Sequence, residues 1–281
     1  MSVSLISVAE LKEPNSSRIV IDTRLKKQYD AGHIPGAIWL RWEEWCETAP
    51  DHAEDVLKQP GYWGRLADPL APAFVDRLCR LGLNTECEIV VHSAGMRSKG
   101  SDGRVAWMLL YLGAKNVRLL NGTWQDCVES GAEVETKVVP REPAEFELNL
   151  QPARRAMLSD LKELIAKDQV ILIDTRSAPE FAGDCYDYQP RKGRFPGAIL
   201  LPFRAMFSAG RHYITRDEYL AMLPVTGIDK MPVSYCEVGV RAATVALLHE
   251  IYTQQTVPVY DGSLMEWSLD LALPLSYGAS D

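Results

Sequence analysis

Short, nearly continuous apolar runs rich in β-branched residues, at 19–21, 89–91 and 117–120, are separated by stretches such as 74–83 and 104–112 that read as helices. Runs that are apolar at successive positions, rather than at every second one, belong to strands buried on both faces. Their alternation with helices predicts an α/β fold with a largely parallel sheet.

The pattern occurs twice. Residues 18–24 (RIVIDTR) match 170–176 (VILIDTR), with Asp22 and Asp174 lying 152 positions apart. Residues 33–37 (HIPGA) match 194–198 (RFPGA) at an offset of 161, and 121–124 (NGTW) match 261–264 (DGSL) at 140. Three matches in the same order identify an internal duplication. The drift in offset assigns extra residues to the second copy's loop at 183–192 and to the first copy's middle at 42–66. Between the copies, 135–151 (ETKVVPREPAEFELNLQ) carries two prolines and many charges without helical period, and reads as a linker. The chain therefore divides into a first domain over 1–134, a linker over 135–151 and a second domain over 152–281.

Composition narrows the function classes. A chain of 281 residues suffices for two domains with their own cores, so a disulfide framework is not needed. With 30 Lys and Arg against 38 Asp and Glu, the net charge of -8 argues against a nucleic-acid partner, which demands concentrated positive charge. No stretch approaches 18 uncharged apolar residues, and the start lacks the basic segment and apolar run of a secretory signal; a cytoplasmic protein without a membrane partner is expected. The six cysteines, Cys46, Cys79, Cys87, Cys127, Cys185 and Cys236, contain no C-x-x-C pair, so neither a metal nor a cofactor is implied.

Chemistry concentrates at Cys236. Residues 232–235 read as a strand and 242–248 as a helix, so Cys236, Glu237, Val238, Gly239, Val240 and Arg241 join a strand end to a helix start. That is the favoured ligand position of open α/β sheets. Unpaired N–H groups and partial positive charge at a helix N-terminus favour an anion, and a thiolate is one. Gly239 gives the backbone freedom for N–H groups to converge, and Arg241 adds a fixed charge. Most single cysteines are packing residues; the glycine and arginine that follow at these positions set Cys236 apart.

Together, the strands ending in Asp-Thr-Arg, the motif at 32–37 (GHIPGA) with its variant at 193–198 (GRFPGA), the loop opening with Cys236, and Tyr260, Asp261 and Gly262 followed by Trp267 resemble the rhodanese-like sulfurtransferases in their tandem form. The resemblance covers nearly the whole chain. It implies two rhodanese-like domains, each a mainly parallel sheet flanked by helices. It also implies that the cysteine of the second domain takes a sulfane sulfur from a small donor, becomes a persulfide, and passes the sulfur to cyanide or a thiol. The first domain is then a degenerate partner. Aligning Gly95 with Gly239 and Arg97 with Arg241 puts His92 opposite Cys236, and a shift of one residue puts Ser93 there; neither forms a persulfide. Arg104 or Arg97 would shape the cleft.

Departures from the family bear on the donor. Four residues separate Cys236 from Arg241, one fewer than in the rhodanese-fold phosphatases that this topology also resembles, which favours sulfur over phosphate or arsenate. Glu237 and Val238 match neither the basic residues common in thiosulfate enzymes nor the Gly-Ser or Gly-Ala of mercaptopyruvate enzymes. Arg241 replaces the family's usual threonine and restores positive charge, which puts thiosulfate ahead of 3-mercaptopyruvate as the expected donor. Because an inward carboxylate would repel a dianion, Glu237 is expected to face solvent or to pair with a cation. Glu180 stands where some relatives place a substrate-binding arginine, leaving Arg191, Lys192 and Arg194 as candidate replacements, while Asp174 and Arg176 are expected to be structural. Cys185 reads as a spare thiol rather than a redox partner, and the tryptophans as packing. A protein sulfur acceptor is compatible with this scheme, and a non-catalytic binding or sulfur-carrier module is the alternative reading.

Overall fold

A computed structural model describes residues 2–186, 188–223 and 230–278; Asp187, inside the loop at 183–192, lies outside the described residues. Two compact units emerge, each built on a five-stranded sheet. The first contains β1 (Ser2–Ser7), β2 (Arg18–Asp22), β3 (Ile38–Trp39), β4 (Glu88–His92) and β5 (Asn116–Asn121) in the order β1-β5-β4-β2-β3, all paired in parallel. The second sheet contains β6 (Arg155–Ala156), β7 (Val170–Asp174) and β8 (Ile199–Leu200). A hairpin of β9 (Phe207–Ser208) and β10 (His212–Tyr213) follows, and β11 (Met231–Tyr235) and β12 (Val259–Tyr260) complete the second sheet. Its order is β6-β12-β11-β7-β8, again parallel throughout. Both orders are one permutation, so the duplicated sequence is a duplicated topology.

Helices packed against the strands explain the continuous apolar runs. Ile89, Val90 and Val91 of β4 are fully buried, as is Val233 of β11. In the second unit, Phe195 of the repeated motif packs edge-on against Tyr235, with ring centroids 4.5 Å apart, and lies 4.4 Å from Trp267. In the first unit, Ile34 takes the corresponding place beside Val20, Tyr29 and Ala37.

The sequence leads one to expect contiguous domains. The compact units draw instead on interleaved segments: the first comprises Met1–Trp42, Ala67–Gln151 and Phe207–Tyr213, and the second Glu43–Leu66, Pro152–Met206 and Ile214–Asp281. Residues 43–66, the extra length in the first copy, follow β3; residues 207–213 follow β8, the matching strand. Each copy thus contributes the segment after its edge strand to the other unit. Within the second unit the main chain of Leu66 is tied at both ends, its N–H donating to Asp261 Oδ2 at 2.7 Å and its carbonyl accepting from Arg155 Nη2 at 3.1 Å. The expected linker is an ordered strap on the first unit: Phe146 is buried, and Ala144, Asn149 and Gln151 donate their N–H groups to the carbonyls of Cys79, Leu112 and Tyr111. Among the described residues, no helix is long and apolar enough to cross a membrane.

Candidate active site

The two sequence motifs of each copy meet in space. Arg176 clasps Asp174 through Nε and Nη2 at 2.7–3.1 Å and donates from Nη2 to the carbonyl of Gly193 at 2.9 Å. In the first unit Arg24 does the same with Asp22 and the carbonyl of Gly32. The Asp-Thr-Arg turn therefore pins the loop that opens the Pro-Gly-Ala motif, and both side chains of each pair are buried. Thr175 completes the turn, donating N–H and Oγ1–H to the carbonyl of Tyr235, while Tyr235 donates its hydroxyl to Asp174 Oδ2 at 2.7 Å. Burial, reinforced by the Asp174 charge, pushes the Tyr235 phenol well above its ordinary value, so it stays a donor. The end of β11 is fixed one residue before Cys236.

Cys236 is buried, 1% exposed. Its N–H donates to Ser263 Oγ at 3.2 Å, and Ser263 in turn donates to the carbonyl of Tyr260 at 2.8 Å. The carbonyls of Cys236 and Glu237 accept from the N–H groups of Leu264 and Met265. Gly239, at φ 75°, turns the chain into helix Val240–Thr253 from a left-handed conformation that costs a residue with a Cβ roughly 1–2 kcal/mol. The first N–H groups of that helix have no intrahelical acceptor, which is the feature that suits a sulfur anion at Cys236. Gly64, from the segment contributed by the first copy, presses on the same loop. A Cβ on it would stand 2.6 Å from Val238 Cβ and O and 2.8 Å from its Cα.

Arg241 is not a free cation. Its Nη1 and Nη2 donate to the two oxygens of Glu180 at 2.9 and 2.7 Å, and Nη2 is also 3.7 Å from Glu237 Oε2. Glu237 thus pairs with a cation, while the positive charge expected to meet the donor is engaged by two carboxylates. Burial alone would raise the Glu180 pKa, but hydrogen bonds and charge from Arg241 and the bonds from Ser177 outweigh it and pull the carboxyl down to about 2. Burial would lower the Arg241 pKa; the Glu180 hydrogen bond and the negative charges of Cys236, Glu180 and Glu237 raise it instead. Glu180 is itself positioned as a helix cap, accepting from the N–H and Oγ–H of Ser177 at the start of helix Ala178–Ala182.

Two candidate substrate arginines have other work. Arg191 donates to the carbonyls of Ser268, Asp270 and Leu273, closing the end of helix Ser263–Leu269. Arg194 is fully buried, donates to the carbonyl of Gly278 at 2.6 Å, lies over the Phe181 ring at 4.4 Å and exchanges main-chain hydrogen bonds with Ser276. Both hold the C-terminal segment through hydrogen bonds to main-chain carbonyls. Lys192 between them is exposed, as is Cys185, which is a free thiol. Arg104 is buried in helix Ser101–Leu112 of the first unit, 4.6 Å above the Trp107 ring, and Arg97 is exposed.

Strand register resolves the choice in the first copy. Asp22 pairs with His92 and Asp174 with Tyr235, so Ser93 occupies the place of Cys236. The carbonyl of Ser93 accepts from Trp124 as that of Cys236 accepts from Leu264. The glycine that caps the following helix is Gly100 rather than Gly95, and Asp102 stands where Arg241 does. Burial raises the Asp102 pKa, and its Oδ2 accepts from Tyr213 at 3.0 Å. The first copy thus has a hydroxyl for a thiol and an acid for a guanidinium. Glu180, Ser263 and Gly64 are the site residues that sequence reasoning did not assign.

A rhodanese-like domain model matches the chain twice, over residues 7–130 and 157–270. Thiosulfate sulfurtransferase of Gallus gallus is 27% identical over 246 residues, 86% of this chain and 80% of that protein. The 3-mercaptopyruvate sulfurtransferase of Homo sapiens is 27% identical over 248 residues, 86% and 79%. Sulfur carrier protein TtuD of Thermus thermophilus is 28% identical over 270 residues, 89% and 87%. Among solved structures, the 3-mercaptopyruvate sulfurtransferase SseA of Escherichia coli shares the fold with a TM-score of 0.78 and 24% identity, over 93% of this chain and 99% of that one. The duplicated topology, the paired Asp-Thr-Arg turns and the cysteine loop agree with these matches: the chain belongs to the rhodanese-like domain family, in tandem form, and is a sulfurtransferase homologue.

Proposed function

We propose that the protein moves a sulfane sulfur from a small donor to cyanide or a thiol through a persulfide on Cys236. The observation that carries this reading is the loop itself: a buried cysteine at the end of a central parallel strand, its N–H anchored on Ser263, ahead of the N-terminus of helix Val240–Thr253. The Cys236 thiolate attacks the outer sulfur of the donor, whose remaining part leaves with the electron pair, as sulfite from thiosulfate. The loop N–H groups stabilise the persulfide anion and the charge developing during transfer. Attack by the acceptor on the terminal sulfur then restores the thiolate.

Both donor types named among the relatives fall within this scheme. The expected preference for thiosulfate depends on Arg241 as an available cation, and the pairing with Glu180 removes that support. A protein acceptor is supported by the similarity to a sulfur carrier protein. We assign catalysis to the second copy because Ser93 has no thiol.

Steady-state kinetics test the scheme. A persulfide intermediate predicts ping-pong behaviour, with parallel double-reciprocal lines when donor and acceptor are varied, and loss of turnover in Cys236→Ser. Intersecting lines, or turnover surviving in that variant, would refute it. Cys236-dependent hydrolysis of a phosphate ester would favour the phosphatase reading instead.

A further inference from the structure

The guanidinium in the candidate loop is already claimed. Arg241 meets Glu180 through two hydrogen bonds, at 2.9 and 2.7 Å, and Glu237 at 3.7 Å. The side chains of Arg241, Glu180 and Glu237 are 18%, 19% and 13% exposed, so water and salt screen their charges only in part. Arg241 and Glu180 together carry no net charge. Glu237 directly follows Cys236.

We propose that Glu180 is a specificity-determining positioning residue: by holding Arg241 it withholds the guanidinium charge from the incoming donor and selects a monoanionic thiol donor over a dianion. The proposal rests on the reading of Cys236 as the persulfide-forming nucleophile. The two loading reactions differ in charge. With thiosulfate, the thiolate attacks the outer sulfur, the S–S bond breaks and sulfite leaves with the electron pair. The reacting pair then brings three negative charges into the loop. With 3-mercaptopyruvate, the thiolate attacks the thiol sulfur, the C–S bond breaks, and the electron pair passes to the methylene carbon. That carbon takes up the thiol proton, pyruvate leaves, and the reacting pair carries two negative charges. In both, the cysteine sulfur is oxidised to the persulfide level and the departing fragment is reduced. An unpaired guanidinium would offset the extra charge of thiosulfate; one bound by Glu180 and approached by Glu237 does not.

The test compares the rates at which each donor loads the protein with sulfur, followed by intact mass. Glu180→Gln keeps an oxygen to accept from Ser177 while removing the charge and the oxygen that accepts from Arg241 Nη2. The ratio of the thiosulfate rate to the 3-mercaptopyruvate rate is expected to rise about tenfold in Glu180→Gln and to stay near the wild-type ratio in Glu180→Asp. In the wild type, inert salt should speed loading by thiosulfate, because it screens repulsion, and this acceleration should shrink in Glu180→Gln. Where Glu180→Gln does not fold, Glu237→Gln makes the same charge change and should shift the ratio in the same direction. An unchanged ratio, or wild-type loading by thiosulfate that slows with salt, overturns the proposal alone. Failure of both donors to load the wild type overturns the Cys236 reading and the proposal with it.

Discussion

Gly64→Ala isolates the effect of the segment 43–66 on the reactive loop. At φ +79°, an alanine there pays about 1–2 kcal/mol of backbone strain. It also places a carbon 2.6 Å from Val238 Cβ and O and 2.8 Å from Cα, roughly 1 Å inside ordinary contact distance. Two of those three atoms are main chain and the third is bonded to it, so no rotamer change relieves the clash. Overpacking of this kind costs about 1–3 kcal/mol, and the strain falls on a residue two positions from Cys236. Displacing catalytic geometry by about 1 Å slows reaction on the order of a hundredfold. Gly197→Ala is the control: φ is +69°, but nothing lies within 4 Å of the added carbon, so it pays backbone strain alone. Thermal unfolding together with the rate of sulfur loading forms the assay. The expected result is a modest stability loss for both variants and a large rate loss for Gly64→Ala only. Equal rates in the two variants would refute the claim that this segment shapes the loop.

Three further variants probe the supports of the site. Ser263→Ala leaves the buried N–H of Cys236 without its acceptor, at about 1–3 kcal/mol, and sulfur loading should slow about tenfold; an unaltered rate would show that Ser263 does not position the cysteine. Arg176→Ala strands the fully buried Asp174 carboxylate, at about 3–5 kcal/mol, whereas removing both charges, in Asp174→Asn with Arg176→Met, should cost less, as measured by denaturant unfolding. The Glu180 carboxyl is pulled from 4.5 down to about 2 in the folded chain, so its stabilisation is complete above pH 4.5 and lost as pH falls through 2. It is worth on the order of 3 kcal/mol, and Glu180→Gln should flatten the decline in stability over that window.

The sequence disclosed what local pattern encodes. The repeated Asp-Thr-Arg and Pro-Gly-Ala motifs are visible because each is short, and the structure gives their joint purpose: Arg24 and Arg176 reach from one motif to the glycine carbonyl opening the other. The continuous apolar runs announced doubly covered parallel strands, and the Cys236 loop announced itself as a strand-to-helix turn. Residues far apart in sequence escaped. Glu180 and Arg241 are 61 positions apart, so nothing local signals that the acid which replaces a basic residue and the arginine which replaces threonine form one pair. The interleaving of 43–66 and 207–213 is likewise invisible to a reading that treats each copy as contiguous. Arg191 and Arg194 resemble a solvated basic turn, and only the return of the C-terminal chain supplies the carbonyls that take up their charge. The register of the first copy could not be fixed by aligning glycines, because its helix begins eight residues after Ser93 rather than four after Cys236.

The central claim is that Cys236 carries sulfur as a persulfide. Intact mass spectrometry of the protein after brief exposure to 3-mercaptopyruvate or thiosulfate tests it directly. The account predicts a gain of one sulfur atom, removed by cyanide, on a peptide containing Cys236, with no gain in Cys236→Ser although five other thiols remain. Sulfur found on another cysteine, or retained in Cys236→Ser, would contradict it.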